Sequence, residues 1–229
     1  MRVICFDLDD TLYKEINYLK SAYREVASYA TEHCRGCSDA PLILAAKAYD
    51  IMFKAYKDGK NAFENLNAFL GLSIPVNDYL QIYREHLPNI RLSDETVFVL
   101  DNLKSSGCIP GLISDGRSLQ QRNKIEALNL GRWIDNDDIV ISEEFGSEKP
   151  SFANYEYFMT RYPECKDFIY VGDNPEKDFV APNSLGWKTV CLKDDGRNIH
   201  KQNMNGLAAA YLPKTIIESI EEITTENIM

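Results

Sequence analysis

The 229-residue chain carries 25 Lys+Arg against 35 Asp+Glu, a formal charge of −10, and 45% of its residues are apolar. That length buries the core of one ordinary domain, or of a domain plus an insert. The acidic balance leaves no bulk basic field for nucleic acid or anionic lipid, so an anionic ligand must be held locally, by a few placed cations or a metal. No apolar run reaches the roughly 18 residues of a membrane span. The opening Met1-Arg2-Val3-Ile4-Cys5-Phe6-Asp7 places charge where a secretion signal needs an apolar stretch, so none is expected. Six scattered cysteines then read as the reduced thiols of a cytoplasmic protein. Cys34-Arg35-Gly36-Cys37 follows His33 but has no second ligand pair, so it reads as two thiols near a helix end rather than a zinc site.

In chain order, residues 2–6 form a short apolar, β-prone run that stops at Asp7-Leu8-Asp9-Asp10-Thr11, as a central strand covered on both faces would. From Tyr13 to about Leu92 apolar residues recur at helical spacing (Tyr18, Leu19, Ala22, Tyr23 and Val26, then Leu42, Ala45, Tyr49, Met52 and Phe53), with no strand pattern. After Ser93 the two periodicities alternate. Helices are expected over 94–106, 121–130, 152–161 and 176–185, and strands over 109–113, 139–142, 168–171 and 189–192, the last of these closing the sheet. Residues 213–223 read as a final helix. Strands alternating with helices imply βαβ units and a parallel sheet. The expected architecture is therefore α/β: a Rossmann-like core of residues 1–13 and 94–229, interrupted by a helical domain of residues 14–93. An insert after the first strand emerges at that strand's carboxyl end, where open α/β sheets bind ligands, so it is placed to act as a lid.

Four polar features fall at expected strand ends: Asp7-Leu8-Asp9-Asp10-Thr11, Ser114-Asp115-Gly116, Lys149-Pro150, and Gly172-Asp173-Asn174-Pro175-Glu176-Lys177-Asp178. Parallel strands bring such ends to one rim. Asp7 and Asp9, two apart in extended chain, project to the same side. Two carboxylates in one pocket separate their proton affinities, so one stays ionised while the other holds a proton. Ser114 and the amides of Asp115 and Gly116 can donate to an anion, and glycine permits close approach. Lys149 supplies a cation. Thr11 and Asp10 are expected to tie down the first loop. Arg117 and Arg122 read as a solvated helix face.

In this order the four motifs resemble the haloacid dehalogenase superfamily, specifically its phosphatase-type members with a helical cap after the first motif. The resemblance spans residues 3 to about 192. It implies that Asp7 attacks phosphorus to form an aspartyl-phosphate, and that Asp9 protonates the leaving alcohol and then deprotonates water. It implies Mg²⁺ held by Asp7, Asp173 and the Asp9 backbone carbonyl, with Asp178 as a ligand or an anchor. Ser114, Asp115, Gly116, Lys149 and Asn174 would bind phosphate or substrate.

The implied activity is Mg²⁺-dependent hydrolysis of a small phosphorylated metabolite, a sugar phosphate or a nucleotide-like phosphomonoester, with no nucleic-acid or membrane partner. A sugar phosphomutase keeps the same DxD pair and stays open as an alternative, as does a non-enzymatic phospho-acceptor or binding module. A true dehalogenase needs neither Asp9 nor the metal acids. A phosphonate hydrolase needs a buried cap lysine, and nothing marks Lys47, Lys54 or Lys57 as one.

Overall fold

The computed structural model describes residues 1–34 and 39–223. Cys37, and with it the Cys34/Cys37 reading, lies outside the described residues.

Six strands form one sheet in the order β3-β2-β1-β4-β5-β6, with every pairing parallel. They are β1 (Arg2–Phe6), β2 (Cys108–Ser114), β3 (Ile139–Ile141), β4 (Asp167–Gly172), β5 (Lys188–Leu192) and β6 (Thr215–Ile217). This is a Rossmann-type strand order, and it reverses direction beside β1. There β1 lies between β2 and β4, with Phe6 opposite both Leu112 and Val171. Strand β1 is buried along most of its length, as its unbroken apolar run requires when helices cover both faces. The core packs Val3, Cys5, Tyr155, Phe158, Tyr170, Phe179 and Trp187 into one cluster. Gly111 is needed on β2 because a Cβ there would meet the Phe158 ring and Cys5 Sγ.

The α-helices are α1 (Glu15–Glu32), α2 (Pro41–Lys57), α3 (Ala62–Leu70), α4 (Val76–Glu85), α5 (Asp94–Ser105), α6 (Ser118–Ala127), α7 (Ser142–Phe145), α8 (Ala153–Arg161) and α9 (Val180–Ser184). The chain divides into two compact units, residues 1–16 with 91–229, and residues 17–90. In the second unit Tyr18 donates to the Tyr83 carbonyl, and Tyr79 donates to Asn67. Tyr18 and Tyr79, aromatics at helical spacing, are both fully buried and act as packing residues.

The expected closing helix over 213–223 is wrong. Pro213 is followed by the β-branched run Thr215-Ile216-Ile217, which adds β6 to the edge of β5, and a 3₁₀ turn covers Ile220–Glu222. The strand over 189–192 is therefore not the last. The helix expected over 176–185 shrinks to α9, because Asp178 folds back onto the amides of Asp173 and Asn174 and holds 174–178 as a loop.

Candidate active site

The rim beside the order reversal collects acids from two strands. Asp7 directly follows β1, and its amide donates to the Val171 carbonyl at 2.8 Å. Asp173 directly follows β4. One carboxylate oxygen from each of Asp7, Asp173 and Asp178 lies within 4.8 Å of the others, and all three residues are buried. Lys149 reaches this cluster from the loop before α8. Its ammonium donates to Asp7 Oδ1 at 2.6 Å, to Asp178 Oδ1 at 2.8 Å and to the Tyr170 hydroxyl at 3.0 Å. All three protons of the ammonium are thus used.

Asp178 is fully occupied. Its Oδ1 accepts from Lys149 and Tyr170, and its Oδ2 from the amides of Asp173 (3.1 Å) and Asn174 (2.8 Å). A Cβ on Gly172 would collide with that carboxylate, so the close approach requires glycine. Of the two roles expected for Asp178, this bonding fits an anchor. Among the described residues, Asp7 Oδ2 and Asp173 Oδ1 accept no hydrogen bond, so each acid has an oxygen open to an ion. The donor set is all hard oxygen, which suits Mg²⁺ or Ca²⁺.

Burial pushes Asp173 up to about 9, with the charges of Asp7 and Asp178 adding to it. Burial likewise raises Asp7 to about 6, against the opposing pull of Lys149. Lys149 is itself held well above its ordinary value, because Asp178 and Asp7 outweigh the cost of burying its charge. A buried cluster with this excess of carboxylate favours a bound cation.

Asp9 faces different neighbours. Lys124 donates to its Oδ1 at 2.7 Å and its Oδ2 at 2.8 Å, Gln121 donates to Oδ2 at 3.0 Å, and the Tyr13 hydroxyl donates to Oδ1 at 2.5 Å. Burial alone would raise Asp9, but the Lys124 ammonium and these hydrogen bonds outweigh it and hold the carboxyl below its usual range. The two acids are separated in proton affinity, in the sense opposite to a protonated Asp9 beside an ionised Asp7. The cause is their separate partners, which two-residue spacing does not reveal.

Ser114, at the end of β2, is buried and accepts from Gln121 Nε2 at 2.6 Å, so its own proton stays available to donate. The Asp115 carboxylate accepts from the Lys149 amide at 3.0 Å and from Lys177 Nζ at 3.1 Å. The Gly116 amide already donates to Ser142 Oγ at 2.9 Å. Asn174 turns its side-chain oxygen back onto the Glu176 amide at 3.0 Å. Asp10 sits at φ 58°, where aspartate is tolerated, and accepts from the amides of Glu15 and Ile199, so it does tie down the loop. The Thr11 hydroxyl is buried and has no hydrogen-bond partner among the described residues, so it does not tie down the loop. Arg117 and Arg122 pair with Glu143 and Glu144 on the surface, as a solvated face would.

Several site residues escape sequence reasoning. Tyr170 hides inside an apolar strand. Asn198 donates to Asp173 Oδ2 at 2.9 Å and Gln202 to the Asp173 carbonyl at 2.7 Å, from a segment without a motif. Gln121 and Lys124 did leave a trace, since the residues α6 buries are Gln121, Lys124 and Ile125, a face with almost no apolar content.

The fold and rim together give an α/β domain with a buried acidic cluster where β1 and β4 end. The chain matches the family model for haloacid dehalogenase-like hydrolases over residues 1–186, and it belongs to that hydrolase family. It is 31% identical over 197 residues to a glyceraldehyde 3-phosphate phosphatase of Methanocaldococcus jannaschii, covering 82% of each chain. It is 25% identical to the protein of that name from Methanothermobacter thermautotrophicus, covering 97% of this chain and 98% of the relative. Its fold is similar to a HAD-hydrolase, YfnB of Bacillus subtilis, solved bound to magnesium, with TM-score 0.64, 20% identity, and coverage of 99% of this chain and 98% of that one.

Proposed function

We propose that this hydrolase is a Mg²⁺-dependent phosphatase of small sugar phosphates, working through an aspartyl-phosphate on Asp7. The observation that carries the reading is the buried Asp7–Asp173–Asp178 cluster with Lys149 in its midst. The glyceraldehyde 3-phosphate phosphatases it resembles support a short sugar phosphate over a nucleotide. The Asp7 and Asp173 carboxylates and the Asp9 carbonyl would hold the ion, with Asp178 fixing the Asp173 loop. Bound there, Mg²⁺ supplies positive charge to the phosphoryl oxygens.

The chain's own residues carry the steps. Lys149 steadies the Asp7 carboxylate through Oδ1, and Asp7 attacks phosphorus. Ser114 donates its proton to a phosphoryl oxygen. Asp9, carrying a proton, gives it to the departing alkoxide. Asp9, now ionised, takes a proton from the water that attacks the phosphoaspartate, and phosphate leaves Asp7 as a free carboxylate. The ion-paired Asp9 of this structure is the form required in that second half. The helical domain, residues 14–93, acts as the cap and carries substrate selection.

Asp7→Asn is expected to abolish turnover while far-UV circular dichroism stays unchanged. EDTA is expected to silence the wild type and added Mg²⁺ to restore it. Comparing kcat/KM for glyceraldehyde 3-phosphate, other sugar phosphates and nucleoside monophosphates tests the substrate class. Wild-type rates in Asp7→Asn would end the mechanism, and a preference for nucleotides would end the sugar assignment.

A further inference from the structure

Helix α6 turns two polar side chains inward, three positions apart. Gln121 and Lys124 are each only 1% exposed. Burying an ammonium and an amide is costly unless each is bonded, and packing alone gives no reason for either. Both converge on one carboxylate. Lys124 bonds both oxygens of Asp9, and Gln121 bonds the second of them while also bonding Ser114 Oγ. Glu15 stands 3.7 Å from the Lys124 ammonium and helps to aim it. With Tyr13 on the other side, Asp9 is held by four hydrogen bonds from three side chains.

An aspartate that moves protons works only when its oxygens stay within bonding reach of the reacting atoms, and misplacement by about 1 Å can cost 10²-fold. Resting on the phosphatase reading above, we propose that Lys124 and Gln121 are positioning residues. They fix the Asp9 carboxylate and align it with the Ser114 hydroxyl, so α6 couples the proton-transfer group to the phosphate-binding group. Their hydrogen bonds include those to Asp9, Ser114 and the Asp115 carbonyl. The effect of Lys124 on the reaction therefore passes through Asp9, while Gln121 acts through Ser114 as well.

A double-mutant cycle tests this. Kinetics are measured with an aryl phosphate, whose good leaving group keeps the weak variants measurable, in saturating Mg²⁺. Lys124→Met is expected to lower kcat about 10–100-fold with KM changed less than about 3-fold. In the Asp9→Asn background the same substitution is expected to change kcat by less than about 2-fold, because the group it positions is already gone. If Lys124→Met costs as much in that background as in the wild type, or if it costs nothing in the wild type, the proposal is overturned. Should Lys124→Met fail to fold, Lys124→Gln is put through the same cycle, with the same pattern expected and the same additive or silent outcome overturning it. Asp9→Asn alone serves as the separate check: wild-type turnover in that variant would refute the role of Asp9 itself, whatever Lys124 does.

Discussion

Removing Lys149 measures how much unbalanced charge the acidic cluster contains. The ammonium bonds Asp7 at 2.6 Å, Asp178 at 2.8 Å and Tyr170 at 3.0 Å, and its side chain is 0% exposed. Lys149→Met keeps the volume and leaves two buried carboxylates facing each other. Breaking a buried ion pair from one side costs about 3–5 kcal/mol, because the partner charge is left uncompensated. For a chain of this length each kcal/mol moves the melting temperature by about 2–4 °C, so a fall of roughly 6–20 °C is expected. The assay is calorimetric or circular-dichroism melting in EDTA, which isolates the protein's own charges. The deficit has a definite pH dependence. Without Lys149 the folded-state affinity of Asp7 for a proton rises further above its unfolded value. A group raised in the folded state contributes stability below its unfolded pKa and loses it as pH rises. The gap between variant and wild type should therefore narrow from pH 8 to pH 5. A loss under about 1 kcal/mol at pH 7.5, or a gap that does not narrow on acidification, would refute the charge-balance argument.

Other outcomes follow from the same geometry. In EDTA the wild type should lose stability as pH rises from 5 to 9, because Asp7 (about 6) and Asp173 (about 9) bind protons more tightly folded than unfolded, Asp7 acting over the lower end of that range and Asp173 over all of it. A melting temperature flat across that range would contradict it. Gly172→Ala drives a methyl into Asp178, which four hydrogen bonds and full burial prevent from moving aside, and should cost about 1–3 kcal/mol together with weaker Mg²⁺ binding by titration calorimetry. Gly111→Ala meets Phe158 and Cys5 in the core instead, and should cost a similar 1–3 kcal/mol in urea melts while leaving Mg²⁺ affinity unchanged.

What could be read from residue order is what depends on neighbours along the chain. The alternation of strand and helix periods gives a parallel α/β core. The motifs of Asp7, Ser114 and Asp173 each follow directly on a strand-like run, so the rim on which they stand is legible from residue order; Lys149, expected at a strand end, instead comes after α7 in the loop before α8. The helical character of 14–93 is legible for the same reason, since 3.6-residue spacing is local. Strand β6 is not, because a three-residue edge strand exists only by pairing with β5. The short reach of α9 is not, because it depends on where the Asp178 side chain turns.

The protonation order of the two motif acids belongs to the tertiary structure. Asp7 and Asp9 sit two residues apart, yet Asp7 is balanced by a lysine 142 positions away and Asp9 by one 115 positions away. Local order fixes which carboxylates reach the rim. Which of them is more readily ionised is decided by distant cations brought within 3 Å, because a charge interaction in a buried, low-dielectric site falls off with distance in space rather than with distance along the chain.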